Sequence, residues 1–228
     1  LSGEVDPAFG EVDRLLPFFH PETLREILAL REILRNSRFE DPELNYIGLT
    51  ALSRLYGHSD GFFSVYTFPQ ISILPERQRL NNQRKGVAPE YKNVKDRIIR
   101  KLERDVGRTL PDVYHQSSAQ NAYLDCDARR ISYPDASIDL IVTSPPFLDK
   151  VDYVQDNWMR AWFLDVEADL ALRDLAILEH PKDWLSFMKE VMLEMLRLLR
   201  PGGQAIIEVG EVDYRKRPLN LEELLLSL

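Results

Sequence analysis

The sequence predicts an α/β fold, a parallel sheet with crossover helices preceded by a helical N-terminal cap or insertion. Two observations predict it. Beyond about residue 110, short apolar runs alternate with segments of helical period, the pattern of strand–helix–strand units. Before it, helix-period segments dominate and are interrupted by turn-rich stretches. The boundary falls at residue 110, giving a helical region 1–110 and an α/β region 111–228.

The elements follow in order. His20-Pro21-Glu22 opens a helix: Pro21 suits the first turn, Glu22 favours its positive end, and Leu24, Ile27, Leu28 and Leu34 share one face. A second helix runs from Pro42 to about Tyr56, with Leu44, Ile47, Leu52 and Leu55 inward. Residues 57–89 are rich in turn residues and read as irregular. A third helix spans about Pro89 to Val106, with Val94, Ile98, Leu102 and Val106 on one stripe. "NAYL" (121–124) predicts a short strand, and "SIDLIVT" (137–143) a stronger, buried one. An aromatic-rich helix covers Tyr153 to Leu164, with Trp158, Trp162 and Phe163 toward the core. Another begins at Pro181 and carries Trp184, Phe187, Met188, Val191, Met195 and Leu199. Arg200-Pro201-Gly202-Gly203 breaks that helix, and "QAIIEVG" (204–210) is a buried strand. "GEVD" occurs three times, too short and too irregular to be a structural repeat.

Bulk properties narrow the function classes. No run approaches the roughly eighteen apolar residues of a membrane span, and the first residues lack the basic and apolar regions of a signal peptide. A lone cysteine, Cys126, cannot form an internal disulfide and fits a reducing, cytoplasmic setting. The four histidines are scattered and none has a metal-ligand spacing with Cys126, so no metal site is expected. The net charge of −8 argues against a nonspecific nucleic-acid coat, but local patches decide binding. The chain lacks an initiator Met and ends in the amphipathic "LNLEELLLSL" without a stop signal, which reads as a segment of a longer protein.

The run Ile138-Asp139-Leu140-Ile141-Val142 stops abruptly at Thr143-Ser144-Pro145-Pro146-Phe147. Ligand sites in open parallel sheets gather at the carboxyl ends of strands. Two prolines fix φ and offer no backbone donor, so the Ser144 and Pro145 carbonyls are held as acceptors. The Ser144 hydroxyl adds an oxygen, and Phe147 adds a flat apolar face. Acceptors beside an aromatic platform suit a planar ring bearing an exocyclic amine. The plain competing reading is a strand terminator followed by a core aromatic.

The stretch resembles the catalytic loop of the S-adenosylmethionine-dependent DNA amino-methyltransferases, the N-4/N-6 DNA methylases, whose motif is [DNS]-PP-[YFW]. It is most similar to their "TSPPY" form. Upstream, "DCDARRISYPDASIDLIV" looks like the family's "GDAxxxLxxLPDxSIDLIV". Downstream, "DYVQDNWMRAWFL" and "LRLLRPGGQAIIEVGE" look like "DYxxxxRxxWFLG" and "LKPGGxxxxxxG". The likeness spans about residues 121–212.

The resemblance implies a partial Rossmann-like class I methyltransferase sheet. It also implies methyl transfer from S-adenosylmethionine to the exocyclic amine of a base flipped out of double-stranded DNA. Ser144, Pro145, Pro146 and Phe147 would be catalytic: Ser144 and the Pro145 carbonyl accept from the amine, and Phe147 stacks on the base. Asp127 would approach the cofactor's adenosine, with Thr143 on the cofactor side. Asp152 and Tyr153 would touch the flipped base or its neighbours. The serine before the prolines tilts the target to cytosine N4 over adenine N6, and a restriction endonuclease is an expected partner. The family's glycine-rich "FxGxG" cofactor loop is absent from these 228 residues, so this part of the cofactor site is expected outside them. Two other readings stay open: an RNA amino-methyltransferase, and a non-catalytic DNA-binding subunit built on a decayed methyltransferase fold.

Residues 76–108 hold eleven Lys/Arg against five Asp/Glu, a local net of +6 in a chain of −8. Arg77, Arg79, Arg84, Lys85, Arg97, Arg100 and Lys101 are the candidate DNA-binding residues, suited to phosphates, while Asn81, Asn82 and Gln83 could read adenine edges. A solvated helix face with internal ion pairs is the competing reading.

Overall fold

The computed structural model describes residues 12–36, 41–67, 73–107, 109, 111–118, 120–146, 148, 153–167 and 178–228. Its fold is mixed α/β. In order the elements are α1 (Pro21–Asn36), α2 (Pro42–Arg54), α3 (Pro75–Lys85), α4 (Val94–Val106), α5 (Asp112–Ser118), β1 (Ile138–Thr143), α6 (Tyr153–Leu164), α7 (Pro181–Leu198), β2 (Leu199–Ile207), β3 (Glu211–Tyr214), β4 (Arg217–Asn220) and α8 (Leu221–Leu226). The chain forms two compact units, Leu1–Leu110 with Asp152–Arg173, and Pro111–Val151 with Asp174–Leu228. Helix α6, grouped by sequence with the sheet, therefore belongs with the N-terminal helices.

In the first unit the apolar stripes turn inward as their spacing predicts, except at the end of α4. Leu24, Ile27 and Leu34 of α1 are buried, and so are Val94 and Ile98 of α4, whereas Val106 is 67% exposed. Between the helices sit the fully buried rings of Phe18, Phe19, Phe62 and Phe63, with Phe18 stacked on Phe63 at 5.3 Å between centroids. Met159 and Phe163 bring α6 into the same core.

Polar clamps close it. Arg31 of α1 donates to the Phe163 carbonyl, pairs with Asp165 at 3.0 Å and lies 4.9 Å over the Trp162 ring. Tyr56 donates its hydroxyl to the Asp156 carbonyl and accepts from Met159 N–H, and burial raises its pKa to about 12. Thr23 Oγ1 bonds both the carbonyl and the N–H of Lys92, and Glu26 accepts from Val94 N–H, docking the start of α4 on α1. Helix α3 corrects the reading of residues 57–89 as irregular. Its apolar content is too low for a stripe, but Pro75 opens it and Gly86, with φ 61°, closes it.

In the second unit β1 and β2 pair in parallel, Leu140 with Gln204 through Thr143 with Ile207. "NAYL" is not a strand: these residues are irregular, and Tyr123 is 92% exposed. The Pro-Gly-Gly run is not simply a helix breaker either. Helix α7 passes directly into β2 at Leu199, and residues 200–203 bulge where the register slips between Ile138 and Leu140. Gly202, with φ 84°, makes the bulge possible. Arg200 secures it, donating to the Ser137 carbonyl and pairing with Asp139 at 2.9 Å. The strand ends at Ile207, three residues short of its expected limit.

The expectation of a buried β1 is also corrected. Leu140 and Val142 are exposed, as is Ile206 of β2 opposite Val142. Parallel strands are buried when both faces are covered, and among the described residues this sheet has two strands.

The segment ahead of β1 is tied to α7 through Arg197. Its guanidinium donates to both Glu194 oxygens, to the Ile131 carbonyl at 2.8 Å, to the Tyr133 carbonyl at 3.0 Å and to Asp135. Glu194 also accepts from Ile131 N–H at 2.7 Å. A separate core gathers Leu148, Trp184, Met188, Val212 and Leu221, with the β3–β4 hairpin and α8 packed on it. Among the described residues no helix is long and apolar enough to cross a membrane, and no group of three or more His, Cys, Asp or Glu could hold a metal ion.

Arg215 and Lys216 occupy the hairpin turn with φ 51° and 65°, a conformation non-glycine residues adopt at a cost. Lys216→Gly is expected to stabilise the hairpin unit by about 0.5–1 kcal/mol after glycine's own entropy is counted, measured by urea unfolding.

The Arg197 side chain, followed by the Ile131 N–H, holds the Glu194 pKa at about 2 against an ordinary 4.5. The resulting stabilisation is complete above pH 4.5 and is lost as the pH falls toward 2. Glu194→Gln should flatten that acid limb in thermal unfolding series; an unaltered limb would contradict this assignment.

Candidate functional site

The carboxyl end of β1 is held from two sides. The Thr143 carbonyl accepts from Glu208 N–H at 2.9 Å, just beyond β2. The Pro146 carbonyl accepts from the Trp184 indole N–H at 2.9 Å, and Trp184 is fully buried in α7. Leu148 is buried in the same cluster. Between these anchors Pro145 is buried, while Ser144 is exposed. Among the described residues its hydroxyl has no hydrogen-bond partner. Thr143 and Pro146 are thus tied to the core on either side of an exposed Ser144. Sequence periodicity assigns Trp184 only a core position; its donor role is unreadable there because the acceptor lies 38 residues away. Phe147 and Asp152 lie outside the described residues.

Asp127 is engaged by its own neighbour. Arg129 donates to both carboxylate oxygens, at 2.7 Å in the closest contact, and its backbone N–H adds a bond at 2.9 Å. These contacts, the side chain's first, hold the Asp127 pKa at about 2. Arg129 also stands 5.3 Å from the Phe187 ring and 3.6 Å from Glu190, both on α7. Asp127 therefore closes a local turn, and each of its oxygens already accepts two bonds from Arg129. Thr143 is half-buried and Cys126 exposed.

The basic residues separate into engaged and available groups. Arg79 is tied to Asp13 through both carboxylate and carbonyl, and Lys101 is paired with Asp105. The Asn82 amide donates to the Pro17 carbonyl and accepts from Gln78, so its role is to hold α3 on the core rather than to present a base-reading edge. Arg77, Arg84 and Lys85 are exposed on α3, with Lys85 5.8 Å over the Tyr66 ring. Arg97 donates to the Ser59 carbonyl at 2.7 Å, and among the described residues Arg100 donates through its Nε alone, to the Asp96 carbonyl one turn back. Tyr153 opens α6, in the first unit, where its carbonyl accepts from Asn157.

No protein-family model, curated protein or solved structure matches the chain.

Trp184→Phe keeps a ring in the core and removes the donor, leaving the Pro146 carbonyl without its bond. Stability is expected to fall by about 1–3 kcal/mol, measured by chemical denaturation. A neutral result would mean that water or another donor serves the carbonyl equally well.

Proposed function

We propose that the chain is the catalytic segment of an S-adenosylmethionine-dependent DNA amino-methyltransferase, with cytosine N4 favoured over adenine N6. One observation carries the reading. An exposed serine hydroxyl and two prolines stand at the carboxyl end of a parallel strand, with the loop braced by Trp184. A braced loop supplies preorganised acceptors, and acceptors aimed at an amine stabilise the charge that develops on it. In this reading Ser144 Oγ and the Pro145 carbonyl accept the two amine N–H bonds. That orients the nitrogen lone pair out of the ring plane. Phe147 provides the stacking face for a base flipped from the duplex. No covalent intermediate on the protein is required, and Cys126 has no part in it.

The fit to the cofactor is incomplete. S-adenosylmethionine supplies an electrophilic methyl group, but the Asp127 carboxylate is already chelated by Arg129. None of the ten glycines belongs to a glycine-rich loop of the kind that cradles such a cofactor. The remainder of the cofactor site is proposed to come from residues beyond this chain.

The test is tritiated methyl transfer to duplex DNA by the longest natural form of the protein, followed by nucleoside analysis. Ser144→Ala is expected to lower the single-turnover rate by about 10²–10³ with DNA affinity nearly unchanged, while Phe147→Tyr retains activity. Transfer at the parental rate by Ser144→Ala would remove the acceptor model. DNA binding with no transfer by any form would favour the non-catalytic DNA-binding subunit.

A further inference from the structure

A second site is built in the first unit, where α2, the loop after it and α4 meet. The loop is tight. Phe62 N–H donates to the Arg54 carbonyl at 2.7 Å and Phe63 N–H to the Gly57 carbonyl at 3.2 Å. A Cβ at Gly61 would lie 1.8 Å from the Tyr56 carbonyl, so only glycine fits there. This turn sets Ser59 and Asp60 against α4, where the Ser59 carbonyl takes the Arg97 guanidinium. Arg97, Arg100 and Arg104 recur at helical spacing on one face of α4.

Together Arg54, Asp60, Arg97, Arg100 and Arg104 line a cavity of about 130 Å³, larger than a single water requires. Four guanidinium groups face one carboxylate, and that carboxylate is a distant partner, 3.6 Å from Arg54 and 3.8 Å from Arg104. The Arg54 side chain is only 11% exposed, and its Nε has no hydrogen-bond partner among the described residues. A buried guanidinium donor left without an acceptor is costly. An anion with several oxygens would satisfy it and the excess positive charge at once.

We propose that this arginine cavity is a phosphate-binding site and, resting on the DNA reading above, that its occupant is a backbone phosphate of the bound nucleic acid. The guanidinium fork matches phosphate oxygens in pairs. Lysine has no part in the cavity, and the nearby Lys101 is neutralised by Asp105. Burial first, then the charge of Arg100 and, more weakly, Arg54, lower the Arg97 pKa against the opposing pull of Asp60. The sequence pointed to Arg97 and Arg100. Arg54 and Asp60 join them only through the fold.

The experiment uses the 228-residue chain and two probes. The first is inorganic phosphate against chloride at matched ionic strength, read by calorimetry and thermal unfolding. The second is a 20-base-pair duplex titrated at several salt concentrations. Arg100→Gln with Arg104→Gln, both at exposed positions, should weaken phosphate binding about tenfold. Asp60→Asn should tighten it about threefold at low salt by removing the competing charge, a gain that misfolding cannot imitate. Loss of one phosphate contact should lower the slope of log affinity against log salt by about 0.9 for duplex DNA.

Both effects together support the proposal in full. Altered phosphate binding with an unchanged duplex slope supports the site but assigns it to a free phosphate or small phosphorylated ligand, and overturns the nucleic-acid occupant. Phosphate binding that is absent in the parent chain, or indifferent to all three substitutions, overturns the site itself.

Discussion

The Arg197 guanidinium reaches from the last turn of α7 into residues 131–135, and the geometry of the sheet unit follows from that contact. It bonds two backbone carbonyls and two carboxylates, Glu194 and Asp135. Segment 131–137 contributes little apolar burial of its own, so hydrogen bonds dock it, most of the side-chain bonds to it coming from this hub. Once it is docked, Ala136 and Ser137 donate to the Arg197 and Leu198 carbonyls, and β1 enters alongside β2 in a single register. A planar, permanently charged group with several donors can fix two chain segments at once, which a lysine at the same position could not.

Register at the start of β1 is propagated to its end. The bulge at residues 200–203 absorbs the mismatch between a helix that runs straight into a strand and a neighbour that must pair with it. Beyond the bulge the pairing is regular and delivers Thr143 opposite Ile207, where its carbonyl takes the Glu208 N–H. The Trp184 indole then fixes Pro146. The chain on either side of Ser144 is thus positioned from α7, through Arg197 before β1 and Trp184 after it. The same helix carries the Glu190 partner of Arg129, which itself chelates Asp127.

In the first unit, charge is sorted by the fold. A net-positive stretch of sequence does not become a uniformly positive surface, because Arg79 and Lys101 are neutralised locally. What remains concentrated is the arginine group around Asp60, where the tight turn at Gly61 brings residues more than forty positions apart into one cavity. An exposed pair is worth little in water, whereas several guanidinium groups around a partly buried cavity act together.

Periodicity and punctuation are enough to place α1, α2, α6 and α7 and the β1–β2 strands, because apolar spacing and N-terminal prolines act locally. Ser144-Pro145-Pro146 likewise stands out as a candidate site from its residue types and its place after an apolar run. Helix α3 escapes such reading because it rests on the Gly86 C-cap and on Gln78 and Asn82 bonds to distant backbone rather than on an apolar stripe. The β3–β4 hairpin escapes it because Arg215-Lys216 lacks the usual turn residues. By itself the sequence determined an α/β chain with a proline-locked loop after an apolar strand and a basic stretch upstream. Only the tertiary structure decided that Trp184 braces that loop, that Asp127 is chelated by Arg129, and that Arg54 and Asp60 complete the arginine cavity. These are contacts between side chains and groups whose meeting depends on chain path and rotamer, and no local pattern encodes either.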